Sequence, residues 1–202
     1  MFAKRANSEY VNMQFKPFFL LLLSVFLAFP VSGQTGGRAK TDPIKVGDTA
    51  PDFELKDETG KTVRLSDVKG TTILVFYRAY WCPYCVRQLA ELRSLKGPGD
   101  KFKLFGISKD PTTRAIETRV KIAKDGKGDV NFPLLSDPDG KTINAFGIYD
   151  PAYAGKEVDG IARAAVFVLD KNRKVVWARI ETDYKIRPTN QDIRAEALKV
   201  KR

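Results

Sequence analysis

Cys82 and Cys85 are the only cysteines in a chain of 202 residues, and their spacing points to chemistry. They lie in Trp81-Cys82-Pro83-Tyr84-Cys85, three positions apart, so one helical turn brings both thiols together and lets them close a tight, reversible disulfide. A cysteine at the start of a helix faces unpaired backbone N–H groups and the positive end of the macrodipole. Both favour thiolate, which is the reactive species. Pro83 suits a first turn, where no N–H is needed. Trp81 would shield one side of a sulfur, and Arg78, four residues before Cys82, would add positive charge. The candidate catalytic residues are therefore Cys82 and Cys85, supported by Trp81, Pro83 and Arg78. Zinc would need two further ligands, and the chain has no third cysteine and no histidine. The same lack of histidine removes Ser/His and Cys/His nucleophile pairs. A structural disulfide closing so small a loop would constrain the unfolded chain little. Redox chemistry is the leading reading, with no cofactor and no metal.

The pair needs a strand before it and a helix behind it, and the flanking sequence supplies both. Residues 72–77 form an apolar run that reads as a buried strand. A helix then opens near Cys82, with Val86, Leu89, Leu92 and the stem of Lys96 as its apolar stripe, and Gly97-Pro98-Gly99 ends it. Upstream, residues 53–55 and 62–65 flank Asp57-Glu58-Thr59-Gly60 and predict an N-terminal hairpin. Downstream, residues 102–108 read as a strand, and Asp110-Pro111 as the cap and first residue of a helix with Ile116, Val120 and Ala123 facing inward. Residues 132–135 are extended and 142–146 a short helix. Residues 164–169 and 175–180 form a late hairpin. A last helix follows Pro188, with a capping box at Thr189 and Asp192 and an inner face of Ile193, Ala197 and Val200. This alternation predicts a three-layer α/β domain: a mostly parallel sheet with helices on both faces and antiparallel strands at one side.

Composition is that of an ordinary globular protein, 43% hydrophobic and 29% charged. Residues 1–33 differ: basic residues precede the apolar stretch 18–29, and Val31-Ser32-Gly33 offers small residues for cleavage before Gln34. That is the layout of a secretory signal peptide, short for a membrane span. Cleavage would leave the protein exported, periplasmic or extracellular, and retention would tether it to a membrane. Residues 34–45 read as a flexible leader and 46–202 as the domain. The net charge of +11 is spread among acids, without an aromatic-basic motif, so no nucleic-acid partner is expected. Gly60-Lys61-Thr62 and Gly140-Lys141-Thr142 lack the earlier glycine of a phosphate loop and read as turns.

Three stretches resemble the alkyl hydroperoxide reductase/thiol-specific antioxidant family, the peroxiredoxin-like branch of the thioredoxin superfamily. They are Val46-Gly47-Asp48-Thr49-Ala50-Pro51-Asp52-Phe53, Phe76-Tyr77-Arg78 through Cys85, and Phe132-Pro133-Leu134-Leu135-Ser136-Asp137. The resemblance implies a thioredoxin-like fold with a central mixed sheet, and an antioxidant oxidoreductase reducing hydroperoxides through the cysteine pair, reset by a thioredoxin-like dithiol. In the family pattern Pro-X-X-X-Thr-X-X-Cys, Cys85 takes the peroxide-reducing position, Cys82 that of the threonine and Arg78 that of the proline. The thioredoxin-like alternative is disulfide exchange on exported proteins, with Cys82 as exposed nucleophile and Cys85 resolving. A non-catalytic binding module is the third reading. Ala164 stands where a cis-proline facing the disulfide is expected. A non-proline cis bond is costly, so a trans peptide and an altered substrate surface are predicted. Arg163 beside it would supply positive charge to a thiolate or a peroxide oxygen.

Overall fold

The computed structural model describes residues 42–200, so the expected signal segment, residues 1–33, and residues 34–41 of the expected leader lie outside the described residues. Seven strands form one sheet: β1 Glu54–Lys56, β2 Thr62–Arg64, β3 Thr72–Phe76, β4 Lys103–Ser108, β5 Leu134–Ser136, β6 Ala165–Leu169 and β7 Val175–Ile180. Their spatial order is β2-β1-β5-β4-β3-β6-β7. Only β3–β4 and β4–β5 pair in parallel; the other pairings are antiparallel. The sheet is thus mixed rather than mostly parallel. The N-terminal hairpin joins antiparallel through β1 to β5 on one side of the parallel centre, and β6 and β7 add antiparallel strands on the other.

Alternation along the central strands splits the core in two. Ile73 and Val75 of β3 face one layer, where α1 (Pro83–Glu91), α2 (Thr112–Ala123) and α4 (Asn190–Lys199) pack through Cys85, Leu89, Ala115, Ile122, Ile193 and Ala197. Leu74 and Phe76 face the other, covered by the short α3 (Lys141–Ala145), Phe146, Ile148 and the N-terminal segment. Helices therefore flank both faces, but unequally. Gly106 in β4 lets α1 approach: a Cβ there would meet Leu134 Cδ2 at 2.7 Å and Leu89 Cδ2 at 3.3 Å.

Helix boundaries differ from the sequence expectation in two places. The first helix ends at Glu91 and tightens into a 3-10 turn over Leu92–Ser94, instead of running to the glycines. Side chains take its last carbonyls: Arg93 Nε donates to Ala90 O at 2.7 Å and Asn190 Nδ2 to Glu91 O at 2.7 Å. The second helix begins at Thr112 with Pro111 as its cap residue. Its buried face is Ala115, Thr118 and Ile122, while Ile116 and Val120 are 47% and 53% exposed and Ala123 is exposed. Small residues let α2 sit close to its neighbours, and Thr118 satisfies its hydroxyl on Arg114 O at 3.0 Å. The Thr189–Asp192 capping box of α4 is formed from both sides. Among the described residues no helix is long and apolar enough to cross a membrane.

Candidate active site

The cysteines occupy the turn where β3 gives way to α1, at the C-terminal edge of the parallel strands, where open α/β sheets place their sites. Cys82 is the cap residue of α1, in extended conformation (φ −80, ψ 109), with Pro83 in the first turn. Cys85 is the third helical residue, and its amide donates to Cys82 O at 3.0 Å. Both are free thiols and both are 0% exposed. The expectation of an exposed Cys82 is therefore corrected: the pair lies beneath the surface, whereas Trp81 beside it is 38% exposed.

Two guanidiniums attend the sulfurs. Arg78, only 3% exposed, places its guanidinium carbon 4.2 Å from the Tyr184 ring centroid, 4.5 Å from Tyr153 and 5.2 Å from Trp81. Its Nε has no partner, and among the described residues no carboxylate lies within ion-pair distance of it. Cation–π contact offsets part of the cost of burying that charge. Arg187 lies in the segment leading to α4. Its Nη1 donates to Ile186 O at 2.6 Å and to Tyr184 O, and its Nη2 stands 3.4 Å from Cys85 Sγ. Tyr184 in turn packs edge-on against Tyr84, with ring centroids 5.7 Å apart.

These neighbours set the ionisation of the pair. The Cys85 thiol, hydrogen-bonding to the Cys82 sulfur, holds Cys82 well below the usual thiol range. Burial opposes this, while the Cys85 amide and the charges of Arg187 and Arg78 reinforce it. The same shared proton pushes the Cys85 thiol up, followed by burial and by the negative charge on Cys82. The pair thus gives up its first proton readily and its second reluctantly, as one titrating unit.

The other supporting positions divide. Ala164 has the expected trans peptide, and its carbonyl accepts from Glu181 N at 2.9 Å. Arg163 turns toward the backbone: its N–H donates to Ile148 O at 2.7 Å and its Nη2 to Gly147 O at 3.1 Å. The arginine side chain in contact with a sulfur is Arg187, which sequence reasoning missed. Its partner is 102 positions away, and the only local cue is the Pro188-Thr189 helix start that fixes the segment. Asp110 was expected to cap α2. Instead its Oδ2 accepts from the Tyr80 amide at 2.7 Å and pins the loop carrying the cysteines.

Among the described residues no group of acidic and thiol side chains could hold a metal ion. The model of the AhpC/TSA family matches residues 46–178. A relative in Mycobacterium tuberculosis, assigned by name to the peroxiredoxins, is 36% identical over 144 residues, covering 69% of this chain and 87% of that protein. Peroxiredoxin Bcp of Escherichia coli is 36% identical over 137 residues, covering 66% of this chain and 84% of that protein. The crystal structure of peroxidoxin BcpB from Mycobacterium tuberculosis superposes with a TM-score of 0.58 at 27% identity, covering 79% of this chain and 99% of that one. With a thiol pair at the strand–helix turn of a thioredoxin-like sheet and a family match across most of the domain, the chain belongs to the AhpC/TSA family, as a peroxiredoxin-like, thiol-dependent oxidoreductase.

Proposed function

We propose that Cys82 and Cys85 together carry out the peroxidase reaction, and that an external thioredoxin-like dithiol resets them. One observation carries this reading: two free thiols share the first turn of α1, with Cys85 in contact with the Arg187 guanidinium, a geometry that favours loss of the first proton from Cys82. The Cys82 thiolate attacks the terminal oxygen of a hydroperoxide; an S–O bond forms as the O–O bond breaks. The departing alkoxide takes the proton of the Cys85 thiol and leaves as the alcohol. Cys82 is then a sulfenic acid and Cys85 a thiolate, stabilised by the Arg187 guanidinium. Attack of Cys85 on the Cys82 sulfur forms the disulfide and expels hydroxide, which solvent protonates to water. Two electrons from the external dithiol, passing through a mixed disulfide, restore both thiols.

The match to the AhpC/TSA family and to peroxiredoxin relatives supports a hydroperoxide over a protein disulfide as the substrate. The Arg187–Cys85 contact, together with the family register that puts Cys85 at the peroxide-reducing position, favours a second order of events with Cys85 attacking first. Trapping sulfenic acid with dimedone after a brief peroxide pulse separates the two. In Cys85→Ser the adduct is expected on Cys82, and Cys82→Ser should oxidise slowly. Rapid labelling of Cys85 in Cys82→Ser would reverse the roles. Labelling of neither would remove the peroxidase role of the pair.

The signal-like residues 1–33 support export of the domain, with the reductant on the far side of the membrane or a membrane tether if the segment is kept. Outside the cytosol a disulfide between the pair would persist until a dedicated dithiol reached it.

A further inference from the structure

A cleft of about 1050 Å³ opens between α1 and the segment that leads into α4, and Arg187 in its wall connects it to the thiol pair. Its walls include Gln88 and Arg187, and each presents a buried donor with no partner: Nε2 of Gln88 and Nε of Arg187. Gln88 is only 4% exposed, so this amide has given up water without receiving a protein acceptor. Such unpaired buried donors are uncommon and point to a missing acceptor. The charge around them has the matching sign. Arg93 is matched by Asp125 at 2.6 Å and Arg87 by Glu91 at 4.0 Å, while Arg187, Lys127 and Lys185 have no carboxylate within ion-pair distance among the described residues.

We propose that Gln88 and Arg187 form a carboxylate-binding subsite that selects short-chain organic hydroperoxides bearing an acid group. This rests on the peroxidase reading of the thiol pair. An amide and a guanidinium both offer planar N–H donors suited to a carboxylate. Position sets the substrate's length. Gln88 follows Cys85 by three residues on the same buried face of α1, so its amide lies roughly one turn, ~5 Å, along the helix from that sulfur and ~9 Å along it from the attacking Cys82. Arg187 spans both places, touching Cys85 Sγ with Nη2 while its Nε is buried without a partner. A substrate gripped there carries its peroxide a few carbons from its carboxylate, the scale of an oxidised amino acid or hydroxy acid rather than a long lipid chain. The acid group stays unchanged while the peroxide becomes the alcohol.

Two readouts test this. In stopped-flow oxidation of the reduced protein, 4-hydroperoxy-4-methylpentanoate should react about tenfold faster than its methyl ester, the effect of one charge-assisted contact. Gln88→Met should bring the acid-to-ester ratio toward unity, and Lys185→Gln, an exposed change that leaves the fold intact, should lower it partway. A ratio near one in the native protein, or a full ratio retained in Gln88→Met, overturns the subsite while leaving the peroxidase intact. The second readout is independent of turnover. Titrating 4-hydroxy-4-methylpentanoate, the alcohol product, into the ¹⁵N-labelled protein should shift the Gln88 side-chain amide and the Arg187 Nε–H saturably, and the methyl ester should not. If every hydroperoxide reacts slowly yet these signals shift, the carboxylate site stands and the peroxidase reading fails. If neither signal shifts, the site fails.

Discussion

Arg78 and Arg187 both favour the Cys82 thiolate, and among the described residues neither has a carboxylate within ion-pair distance. Removing either arginine should make the first thiol harder to ionise. Arg187→Met should slow oxidation by hydrogen peroxide about 10- to 100-fold, the value of a hydrogen bond to a charged group. In Arg78→Met, a side chain of similar length keeps much of the aromatic packing, so the fold should hold while thiolate absorbance near 240 nm rises only at higher pH. The sign follows from the lowered Cys82 ionisation: in the native protein the oxidation rate should be flat from neutral pH upward and fall on acidification. In both arginine variants that fall should begin at higher pH. The thiol pair, Pro83 and Arg78 were legible from the sequence because they share eight consecutive positions. Arg187 was not, since its contact depends on where the last helix docks.

At the scale of elements, two short links hold the cysteine turn in place. Asp110, at the end of the loop after β4, accepts the Tyr80 amide just before the cysteines. Burial raises its carboxyl from 3.8 to about 6, although the Tyr80 amide and Ser108 hydroxyl work against this. A raised value in the folded state means that the folded protein holds the proton more tightly than the unfolded chain. The contribution is therefore full below 3.8 and is lost as pH rises through about 6. Asp110→Asn should flatten the stability profile across that window in urea titrations. The second link is the α4 capping box. Thr189→Ala should cost about 1 kcal/mol in urea unfolding. It should also slow peroxide oxidation, because Arg187 sits two residues before the cap. The capping box was readable because two residues at fixed spacing write it. The inner face of α2 was not. Ile116 and Val120 have helical spacing, but close packing favoured the small Ala115 and Thr118, which a hydrophobicity pattern undervalues.

For the molecule as a whole, the sequence announced strands and helices in nearly the right places but not how they are ordered in space. The hairpin at residues 165–180 was visible because its strands are adjacent in the chain; the insertion of β5 between β1 and β4 joins residues about 80 positions apart through Lys56 and Ser136. That order puts a parallel centre beneath the cysteine turn and uses antiparallel strands to finish both edges. Addressing belongs to this scale too. The proposed export predicts that mass spectrometry of the protein recovered outside the cytosol shows a mature chain beginning at Gln34; an intact leader in the membrane fraction would instead indicate a tether. The central claim is that Cys82 is ionised and primed by its neighbours to reduce peroxide. Stopped-flow fluorescence of the reduced protein, using Trp81 beside Cys82 as reporter, tests it directly against hydrogen peroxide at neutral pH. A rate about 10³-fold above free cysteine, depressed in Arg187→Met, is expected if preorganised charge supplies the acceleration. A rate equal to that of free cysteine, or one indifferent to Arg187, would contradict it.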